Sequence, residues 1–435
     1  MADDLEISAS YVALLERNQR PVTADMLLRL ARTYRLEIED IAGDHGEDYA
    51  RRVTEVLRDP IFSDIDLPAL EVADLATSFP GVSEALLRLH GAYVREQQAL
   101  AERRAGGENG DEPVREVQQF IAARRNYFDT LDKRAEALAV EVEKAGGGHE
   151  WLASKGIRVR YMPAEVLMDS LRRFDRHNQQ LLIADALDGP SRAFQIATQI
   201  AHTALRAEIR EEVRSETFSS RNTSSLAARA LAGYAAAAIR MPYSRFARAA
   251  EQRKYDIEAL CGLFGVSFEQ AAHRLTTLQR PGDNGLGFFF IRVDEAGNVS
   301  KRLDGAGFPF AAHGGGCPLW NVHQAFRRPG EVMTQRLELP GGERFFSIAR
   351  TVTGGGPGFL RRRVLRAVAL ACPAEHADRL IYAQAMAETE VTPIGVTCRL
   401  CQRAECTARA VPPIGRDVVA DDYRRTAQPY LFADN

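Results

Sequence analysis

Three cysteines near the carboxyl end are the residues of this chain whose spacing most clearly indicates chemistry. Cys398, Cys401 and Cys406 form a C-x2-C-x4-C pattern within nine residues. Thiolates this close together on a loop can bind one iron–sulfur cluster or one zinc ion. The same segment carries three cationic side chains that favour thiolates and offset the charge of a cluster: Arg399, Arg403 and Arg409. The segment is therefore predicted to bind a metal.

A fourth ligand has to come from elsewhere in the chain. Zinc prefers four protein ligands, whereas a cubane cluster tolerates three cysteines and one other ligand. The candidates outside the motif are Cys317, Cys372, His313 and His376, and Cys317, in HGGGCPLW, completes the predicted metal set. We therefore expect a [4Fe–4S] cluster, with zinc as the alternative. Cys261, in the segment ALCGLFG, is predicted to be a small buried hydrophobic residue.

A second pattern lies in the middle of the chain, where residues 194–205 read FQIATQIAHTAL. This segment resembles the active-site helix of ImmA/IrrE-type metallopeptidases, which carries two histidines at i and i+4 and a glutamate beside the first. Here Thr198 stands at the first histidine, Gln199 stands at the glutamate, and only His202 remains. The helix that follows (SLAARALAGYAAAAIRMP) contains no acidic third ligand. Because one imidazole cannot hold zinc or activate water, we predict a degenerate peptidase fold without peptidase activity.

A vacated peptidase groove between two helices is a natural pocket for a small molecule. The residues predicted to line it are His202, Tyr234, Arg124, Arg125 and Arg158. Guanidinium groups are well suited to the phosphates of a nucleotide-bearing ligand. The alternative for His202 and Tyr234 is packing in the core, and for the arginines it is a solvated helix face.

The elements that position these residues differ along the chain. Residues 1 to about 140 have helical periodicity, including one long amphipathic helix from Val114 to Lys144. From Ile157 the pattern is mixed, with strands at IRVRYMP and QLLIADAL. Helices are predicted at Ser191–Leu205 and Leu226–Met241, with a serine-rich loop at Ser215–Ser225 between them.

After Pro281 the pattern changes to strands and turns. GFFFIRV and VSKRL predict one hairpin, Val332–Leu339 and Arg344–Val352 predict a second, and Val364–Ala371 is a further strand. Arg379–Glu388 is predicted to be helical. The carboxyl-terminal third is thus expected to be an antiparallel sheet, and it contains five of the six cysteines.

These patterns predict a multidomain α+β protein with a helical N-terminal half, a degenerate metallopeptidase-like middle domain and a C-terminal antiparallel-sheet domain. The predicted boundaries are 1–45 for a partial helix-turn-helix, 46–145 for a helical linker, 146–280 for the middle domain and 281–435 for the cysteine-rich domain.

Composition limits the compartment and the classes of partner. The 435 residues are 45% hydrophobic and 26% charged, which excludes wholesale disorder, and the formal net charge of −3 excludes a global basic surface. No apolar run approaches the 18 or so residues of a membrane span, and the acidic start MADDLEIS lacks a signal core. Six cysteines are too few for a disulfide scaffold, so we expect a cytoplasmic protein.

Residues 5–42 resemble the second half of a phage-repressor-type helix-turn-helix, in which a short helix enters the major groove and a basic loop follows. The residues predicted to contact DNA are Ser8, Ser10, Tyr11, Arg17, Asn18 and Arg20. The family motif extends about 25 residues further upstream. We therefore expect that the chain as written begins inside the motif. Repressor-type modules act as dimers on two-fold sites, so a homodimer is expected.

Taken together, the chain resembles the short-chain fatty acyl transcriptional regulators. The segments that carry the resemblance include RNYFDTLD, GVSFEQAAHRLTTLQRPG, FFFIRVDEAGNVSKR, GGGCPLWNVHQAF and TPIGVTCRLCQRAEC. The resemblance implies a transcription factor that senses short-chain acyl-CoA thioesters, controls genes for their breakdown, and holds a [4Fe–4S] cluster on the three-cysteine motif. It implies no catalysis. His202 and Gly233 depart from the aromatic residue and the asparagine expected in this family.

Two other classes of function are compatible with the sequence. One is an interaction protein of the same family that binds a full-length partner without touching DNA, since the helix-turn-helix is partial. The other is a metal-dependent hydrolase acting through His202 or the cysteine motif, for which the sequence offers no nucleophile or base.

Overall fold

The structure is a computed structural model. It describes residues 7–8, 11–12, 26, 33–34, 45–62, 65, 68–105, 112–163, 165–168, 170–309, 316–354, 363–385, 391–421 and 423–432. Most of the predicted helix-turn-helix segment therefore lies outside the described residues. From residue 45 onward the described residues form three helices, α1 (His45–Val56), α2 (Ala69–Ser78) and α3 (Pro80–Ala105).

The three helices pack on a small apolar core. Val53 and Val56 of α1 are buried with Val72 and Ala76 of α2. The α3 helix is fastened to the turn after α1, because the His90 imidazole lies 3.1 Å from the Asp59 carboxylate. Burial acts to raise the pKa of Asp59, but its bonds to His90 and to the Ile61 amide outweigh that effect and lower it.

The predicted single helix over Val114–Lys144 is wrong, because two helices occupy this segment. They are α4 (Glu112–Ala123) and α5 (Asp129–Lys144). Between them Arg125 and Asn126 adopt positive φ angles of 50° and 59°, which end a right-handed helix. The buried Asn126 amide donates to the Asp304 carbonyl at 2.9 Å, so a tertiary contact fixes this turn.

The middle region contains a three-stranded sheet covered by helices. The helix α6 (Gly148–Ser154) leads into β1 (Arg158–Met162), followed by β2 (Arg172–Asp175) and β3 (Gln180–Ala184), in the order β1-β3-β2. β1 runs parallel to β3, and β2 runs antiparallel to it. Two of these strands are the predicted ones, whereas β2 was not anticipated.

Three helices follow the sheet: α7 (Gly189–Ala204), α8 (Arg206–Arg214) and α9 (Arg221–Arg240). The α7 helix begins where the Asp188 side chain accepts the Ser191 amide at 2.8 Å. The predicted loop at Ser215–Ser225 is too long, since α9 already begins at Arg221. The reason is an N-cap, in which the Ser220 hydroxyl accepts the Thr223 amide at 3.0 Å.

Shorter elements join the middle region to the last one. These are α10 (Tyr243–Gln252), α11 (Ile257–Phe264), α12 (Phe268–Leu275) and a two-residue hairpin, β4 (Gln279–Arg280) with β5 (Asp283–Asn284). The α12 helix begins in a capping box formed by Ser267 and Gln270. Within the described ranges, no helix combines the length and the apolar character needed to cross a membrane.

The carboxyl-terminal region is built on a six-stranded sheet in the order β11-β8-β9-β10-β6-β7. The strands are β6 (Phe289–Val293), β7 (Val299–Leu303), β8 (Met333–Glu338), β9 (Arg344–Gly354), β10 (Val364–Pro373) and β11 (Thr392–Pro393). All pairs are antiparallel except β11 with β8. The predicted hairpins and the predicted strand are confirmed. A short helix, α13 (Asn321–Gln324), and a small hairpin, β12 (Val418–Val419) with β13 (Leu431–Phe432), complete the region.

The two faces of this sheet belong to different apolar cores. Along β10, Ala369 and Ala371 face the core that contains Trp320, whereas Leu370 and Cys372 face the core formed with α10–α12. This alternation is the two-residue period of a strand, and it decides which cysteines can approach one another.

Among its described residues, the helix predicted at Arg379–Glu388 is present only as 3-10 turns, with a break at Leu380, and not as a continuous α-helix. Two short 3-10 turns occupy Ala374–Arg379 and Ile381–Ala385. Leu380 between them is extended and buried, and the Ile381 amide donates to the Lys254 carbonyl at 2.8 Å. A backbone donor that bonds to a distant carbonyl cannot continue a helix.

A buried ion pair joins the middle region to the segment that leads into the large sheet. Asp132 of α5 and Arg274 of α12 are both fully buried, and their side chains meet through two bonds of 2.7 and 3.2 Å. The Tyr234 hydroxyl donates to the same carboxylate at 2.5 Å. Burial acts to lower the pKa of Arg274, but Asp132 and Tyr234 outweigh that effect and raise it.

Removing one charge of this pair should destabilise the protein strongly. We expect Asp132→Asn to lower the free energy of unfolding by about 3–5 kcal/mol, because Arg274 is then a buried, unpaired charge. Glu143→Gln on the same helix is the matched control. Its exposed partner Arg245 lies 3.2 Å away, and loss of such a surface pair costs about 1 kcal/mol or less. Urea denaturation measures both, and equal losses would contradict the assignment.

Candidate functional site

The three-cysteine motif lies on an irregular loop beside the end of β8. Cys401 is buried, whereas Cys398 and Cys406 are half-buried. The Ala410 amide lies 3.5 Å from the Cys398 sulfur, in the position of a donor to a thiolate. The loop is tied to the sheet by Arg403, whose guanidinium donates to the Glu338 carbonyl at 2.8 Å.

A buried arginine holds the loop in shape. The Arg409 guanidinium donates to the carbonyls of Cys398 and Cys401 at 3.3 and 3.0 Å, and to that of Arg403. Its side chain is 5% exposed and lies against the Phe432 ring. No carboxylate pairs with it among the described residues, so a buried positive charge stands next to the cysteines. Such a charge favours thiolates and an anionic cluster.

Cys317 lies close enough to this loop to act with it. It is buried, and burial raises the pKa of its thiol, with further contributions from Cys398 and Cys401. Gly395 lies between them, and a Cβ built on it would lie only 2.8 Å from the Cys401 sulfur. Glycine is therefore required here for the close approach of backbone to thiol.

The other proposed fourth ligands lie elsewhere or outside the described residues. Cys372 faces the core on the opposite side of the sheet from Cys317, and burial raises its pKa to about 12. His376 is half-buried beside Glu375. Cys261 lies on α11, where burial raises its pKa to about 11. His313 lies outside the described residues.

The donor spacing bears on the kind of metal centre. No three histidine, cysteine or acidic side chains of the described residues are arranged to hold a single metal ion. Four thiolates on one zinc would each lie about 2.3 Å from it, which requires tightly gathered sulfurs. A cluster places each cysteine on a different iron atom and so suits wider spacing. Near the motif, Nε of Arg403 and Nε of Arg409 are buried without hydrogen-bond partners.

A second site lies on α7, at the position of the peptidase active site. Thr198 donates its hydroxyl to the Phe194 carbonyl at 2.8 Å and so presents no ligand. Gln199 is buried and accepts from Arg172 of β2 at 3.0 Å. His202 lies one turn beyond Thr198, and the residue is exposed to solvent. Partial burial of its imidazole, together with the positive charges of Arg172 and Arg206, lowers its pKa.

Cationic side chains surround this histidine. Burial and the charge of Arg229 on α9 lower the pKa of Arg172. Arg206 follows α7, and together with Arg172 it acts on His202. No carboxylate forms an ion pair with Arg172, Arg206 or Arg229 within the described part of the chain. These side chains therefore have the electrostatics of an anion site rather than of a cation site. Because they lie at the position of the former peptidase groove, we call Arg172, His202, Arg206 and Arg229 the arginine cleft.

The structure does not bring the five predicted lining residues together by direct contacts. Arg124 donates to Ser215 at 3.0 Å and pairs with Glu216, and Arg125 is exposed in the left-handed turn. Tyr234 is buried against Asp132. Arg158 is exposed on β1. From the strand register, Arg158 lies on the face of the sheet opposite to Arg172. The ligand-lining set remains a prediction.

Two of the predicted DNA-contacting residues can be placed. The Ser8 hydroxyl accepts the Tyr11 amide at 3.2 Å, so Ser8 caps a helical turn that includes Tyr11. Ser10, Arg17, Asn18 and Arg20 lie outside the described residues. The assignment of all six to DNA contacts remains a prediction.

Sequence reasoning missed the three arginines of the arginine cleft. Arg229 could have been identified from the sequence, because it is a charged residue within the alanine-rich helix α9. Arg172 carried none, since it follows an irregular segment and its strand was not anticipated. Arg206 was visible only as the residue after the predicted helix.

The comparisons with protein families match two adjoining parts of the chain. Residues 152–276 match the IrrE N-terminal-like domain, and residues 277–430 match the family described as "Short-chain fatty acyl coenzyme A regulator, C-terminal". The first contains the arginine cleft, and the second contains the cysteine loop. The predicted domain boundaries themselves stay predictions.

Curated relatives align with the chain over nearly its whole length. The "Propionyl-CoA carboxylase regulator" of Cereibacter sphaeroides is 34% identical over 443 residues, covering 100% of this chain and 95% of the relative. The "HTH-type transcriptional regulator RamB" of Mycobacterium tuberculosis is 34% identical, with 99% and 94% covered. "HTH-type transcriptional regulator PrpR" of the same organism is 35% identical, with 99% and 91% covered.

A solved structure is also similar. The "Mycobacterium tuberculosis transcriptional regulator" superposes with a TM-score of 0.68 at 37% identity, over 73% of this chain and 99% of that one. The named relatives are transcriptional regulators and not enzymes, which agrees with the prediction made from Thr198 and Gln199.

Proposed function

This chain belongs to the family of short-chain fatty acyl coenzyme A regulators, and we propose that it is a cytoplasmic transcription regulator that senses a short-chain acyl-CoA and controls genes of short-chain fatty acid metabolism. The observation that carries the ligand proposal is the arginine cleft at the former peptidase site. The named relatives, which regulate propionyl-CoA carboxylase or transcription, support the choice of genes.

The ligand would bind through its phosphates. Coenzyme A carries several phosphate charges, and Arg172, Arg206 and Arg229 have no carboxylate partner among the described residues to compete with them. His202 lies among these arginines and would become a further donor once protonated. The Gln199 side chain, held by Arg172, is neutral where a peptidase needs a carboxylate.

Two contacts link the helices α4 and α5 to later parts of the chain, the loop after β7 and the helix α12. The first is the left-handed turn of Arg125 and Asn126, whose Asn126 amide bonds to the Asp304 carbonyl. The second is the pair of Asp132 with Arg274. A movement of this turn would therefore act on the loop that contains Asp304, which links the helical region to the cysteine domain.

We also propose that Cys398, Cys401, Cys406 and Cys317 hold a [4Fe–4S] cluster. When bound, such a cluster supplies a one-electron redox change. The buried Arg409 would offset its negative charge, and the Ala410 amide would donate to the Cys398 sulfur.

DNA binding by residues 1–45, as a homodimer on a two-fold operator, completes the proposal. Ser8, whose hydroxyl caps the turn at Tyr11, would present helix N-terminal amides to a phosphate.

The cleft is tested by removing its charges. Arg172→Ala/Arg206→Ala should weaken propionyl-CoA binding by about 100-fold or more in calorimetric titration, since each lost charge-assisted bond costs about 1.5–3 kcal/mol. Arg173→Ala is the matched control, because Arg173 is the exposed neighbour on the opposite face of β2 and should change binding less than about twofold. The dissociation constants of acetyl-CoA and free CoA, measured in the same way, show whether the acyl chain or the nucleotide determines the affinity.

The same titration distinguishes the cleft from the lining predicted by sequence. Arg158→Ala should behave like Arg173→Ala, since both lie on the face of the sheet away from Arg172. If Arg158→Ala or Arg124→Ala weakens binding and the double variant does not, the ligand lies elsewhere. Binding of free CoA as tight as that of acyl-CoA would remove the sensing role.

A pH dependence follows from His202. Its pKa is lowered, so the imidazole is neutral at about pH 7.5 and gains a proton as the pH falls. Because that proton adds positive charge to the cleft, and because the pKa lies below the ordinary value of 6.5, binding of acyl-CoA should tighten as the pH falls from about 7.5 to about 5. His202→Gln should reduce this gain in affinity. Because the ligand's own phosphate titrates equally in both experiments, the difference in pH dependence between wild type and variant reports on His202 alone. An identical pH response in both would contradict the role of His202.

The cluster is tested by colour and iron content. Protein purified without oxygen should be brown and contain iron and sulfide, and Cys398→Ser, Cys401→Ser or Cys406→Ser should abolish both. Cys261→Ser is the control that should keep them, because Cys261 lies on α11 outside the loop. Stoichiometric zinc without iron would overturn the cluster.

A further inference from the structure

The three-stranded sheet of the middle region has one face in the core and one face toward solvent. Leu181 and Ile183 of β3 are buried in an apolar core shared with α7 and α9, and Phe174 of β2 packs against that core. Because successive side chains of a strand point to opposite sides, Leu182 lies on the other face of the sheet. Leu182 is half-buried, so this outer face is open to solvent.

Three arginines occupy the outer face. The strand register places Arg160 of β1 and Arg173 of β2 on either side of Leu182, and Arg158 lies two residues before Arg160 on the same strand. All three arginines are exposed. Neighbouring strands lie about 4.8 Å apart, and a strand rises about 3.3 Å per residue. The Cα atoms of the three arginines therefore lie within a patch about 12 Å across.

The positive charge of these arginines is not neutralised on the outer face. No carboxylate forms an ion pair with Arg158, Arg160 or Arg173 among the residues that the structure describes. Asp175 stands on the same face, but its carboxylate accepts from two backbone amides and one side-chain amide of the turn that follows β2. That carboxylate is engaged in its own turn, so the outer face keeps an excess of positive charge.

A groove lies between α6 and β1, at the edge of the sheet. Its volume is about 470 Å³, and the polar side chains that line it are His149, Arg158, Arg160 and Gln180. None of its described lining residues is acidic. β1 is an edge strand, because the strand order is β1-β3-β2. The cationic outer face thus continues into a concave edge, and a surface of this shape and charge favours an extended anionic partner.

We propose that Arg158, Arg160 and Arg173 on the outer face bind the phosphate backbone of a DNA duplex, as a second contact beside the predicted DNA-binding segment. The choice of DNA rests on the proposed function, because DNA is the polyanion that a transcription regulator meets. The charge and the exposure of the face are independent of that choice. Guanidinium groups suit phosphates, and phosphate contacts position a protein without reading the base sequence.

The outer face is separate from the arginine cleft. Arg172 and Arg173 are neighbours on β2, and their side chains point to opposite sides of the sheet. Arg172 bonds to the buried Gln199 of α7, whereas Arg173 is exposed. DNA and acyl-CoA would therefore occupy opposite faces of one sheet, and the two sites can be tested independently.

The test is the salt dependence of DNA binding by the full chain. Fluorescence anisotropy would measure its affinity for a random-sequence duplex of about 40 base pairs between about 50 and 200 mM NaCl. Each phosphate contact contributes about 0.9 to the slope of log K against log salt concentration. Arg158→Gln/Arg160→Gln/Arg173→Gln should therefore reduce the magnitude of that slope by about 2 to 3 and weaken binding by about 10-fold or more at the lowest salt concentration.

The matched control removes the same number of charges from another surface. Arg248→Gln/Arg253→Gln/Lys254→Gln replaces three exposed cationic residues of α10 and the turn after it. This variant should keep the slope of the wild type, because its net charge changes equally while the outer face stays intact. Circular dichroism of both variants checks that they fold as the wild type does.

A charge-conserving variant tests the kind of contact. Arg158→Lys/Arg160→Lys/Arg173→Lys should retain most of the slope, since the salt dependence reports the neutralisation of phosphates by either cation. If this lysine variant loses as much of the slope as the glutamine variant does, the face does not act through phosphate charge and the proposal fails.

The remaining outcomes separate this proposal from the wider one. Equal losses in the glutamine variant and the α10 control would reveal an effect of net charge and overturn the outer face as the contact. An unchanged slope in the glutamine variant, with binding by the wild type, would also overturn it, while DNA binding by residues 1–45 would stand. No binding by the wild type at about 50 mM salt would overturn both, because the outer face should bind duplex without help from residues 1–45.

Discussion

The pair of Asp132 with Arg274 is the interaction on which the arrangement of the two main regions depends. Both side chains are fully buried, so each is tolerated only while the other is present. Around them Tyr234 bonds to Asp132, and Arg280 pairs with Glu136 at 2.8 Å. Burial acts to raise the pKa of Glu136, but the bonds from Arg280 and Ser244 outweigh it and lower it. This polar cluster fixes α5 against the segment that leads into the large sheet.

Replacement of a few side chains changes what the middle cleft can bind. In a peptidase the helix that corresponds to α7 supplies ligands and a carboxylate for a metal cation. Here a hydroxyl that bonds to its own helix and a neutral amide held by Arg172 stand at those positions. Arginines from β2, from α9 and from the start of α8 add positive charge around His202. The same fold thus presents a site that favours an anion, where a peptidase has a site for a metal cation.

The sequence was informative where periodicity and local chemistry determine structure. The strands around Phe289–Val293 and Val364–Pro373 follow from alternation, and the vacated peptidase site follows from Thr198 and Gln199. The break at Arg125 and Asn126 was not predictable, because a positive φ leaves no trace in the hydrophobic pattern. The arginine cleft was missed for a related reason, since its four members come from four separate elements. Contacts across such distances, like Asp132 with Arg274 at 142 residues, are invisible to local patterns.

The irregular backbone around Arg409 has a consequence for local stability. In the cysteine loop, the backbone carbonyls of Cys398, Cys401 and Arg403 accept from the Arg409 guanidinium instead of from a neighbouring strand. Fewer hydrogen bonds must therefore break for this loop to open than for a strand to leave the sheet. The sheet beside it has ten residue pairs between β9 and β10 alone. The loop is therefore a separate cooperative unit that opens at a lower free energy than the sheet, with faster hydrogen exchange of its amides. Exchange with solvent and small oxidants can reach the cysteines through such openings while the rest of the domain remains folded.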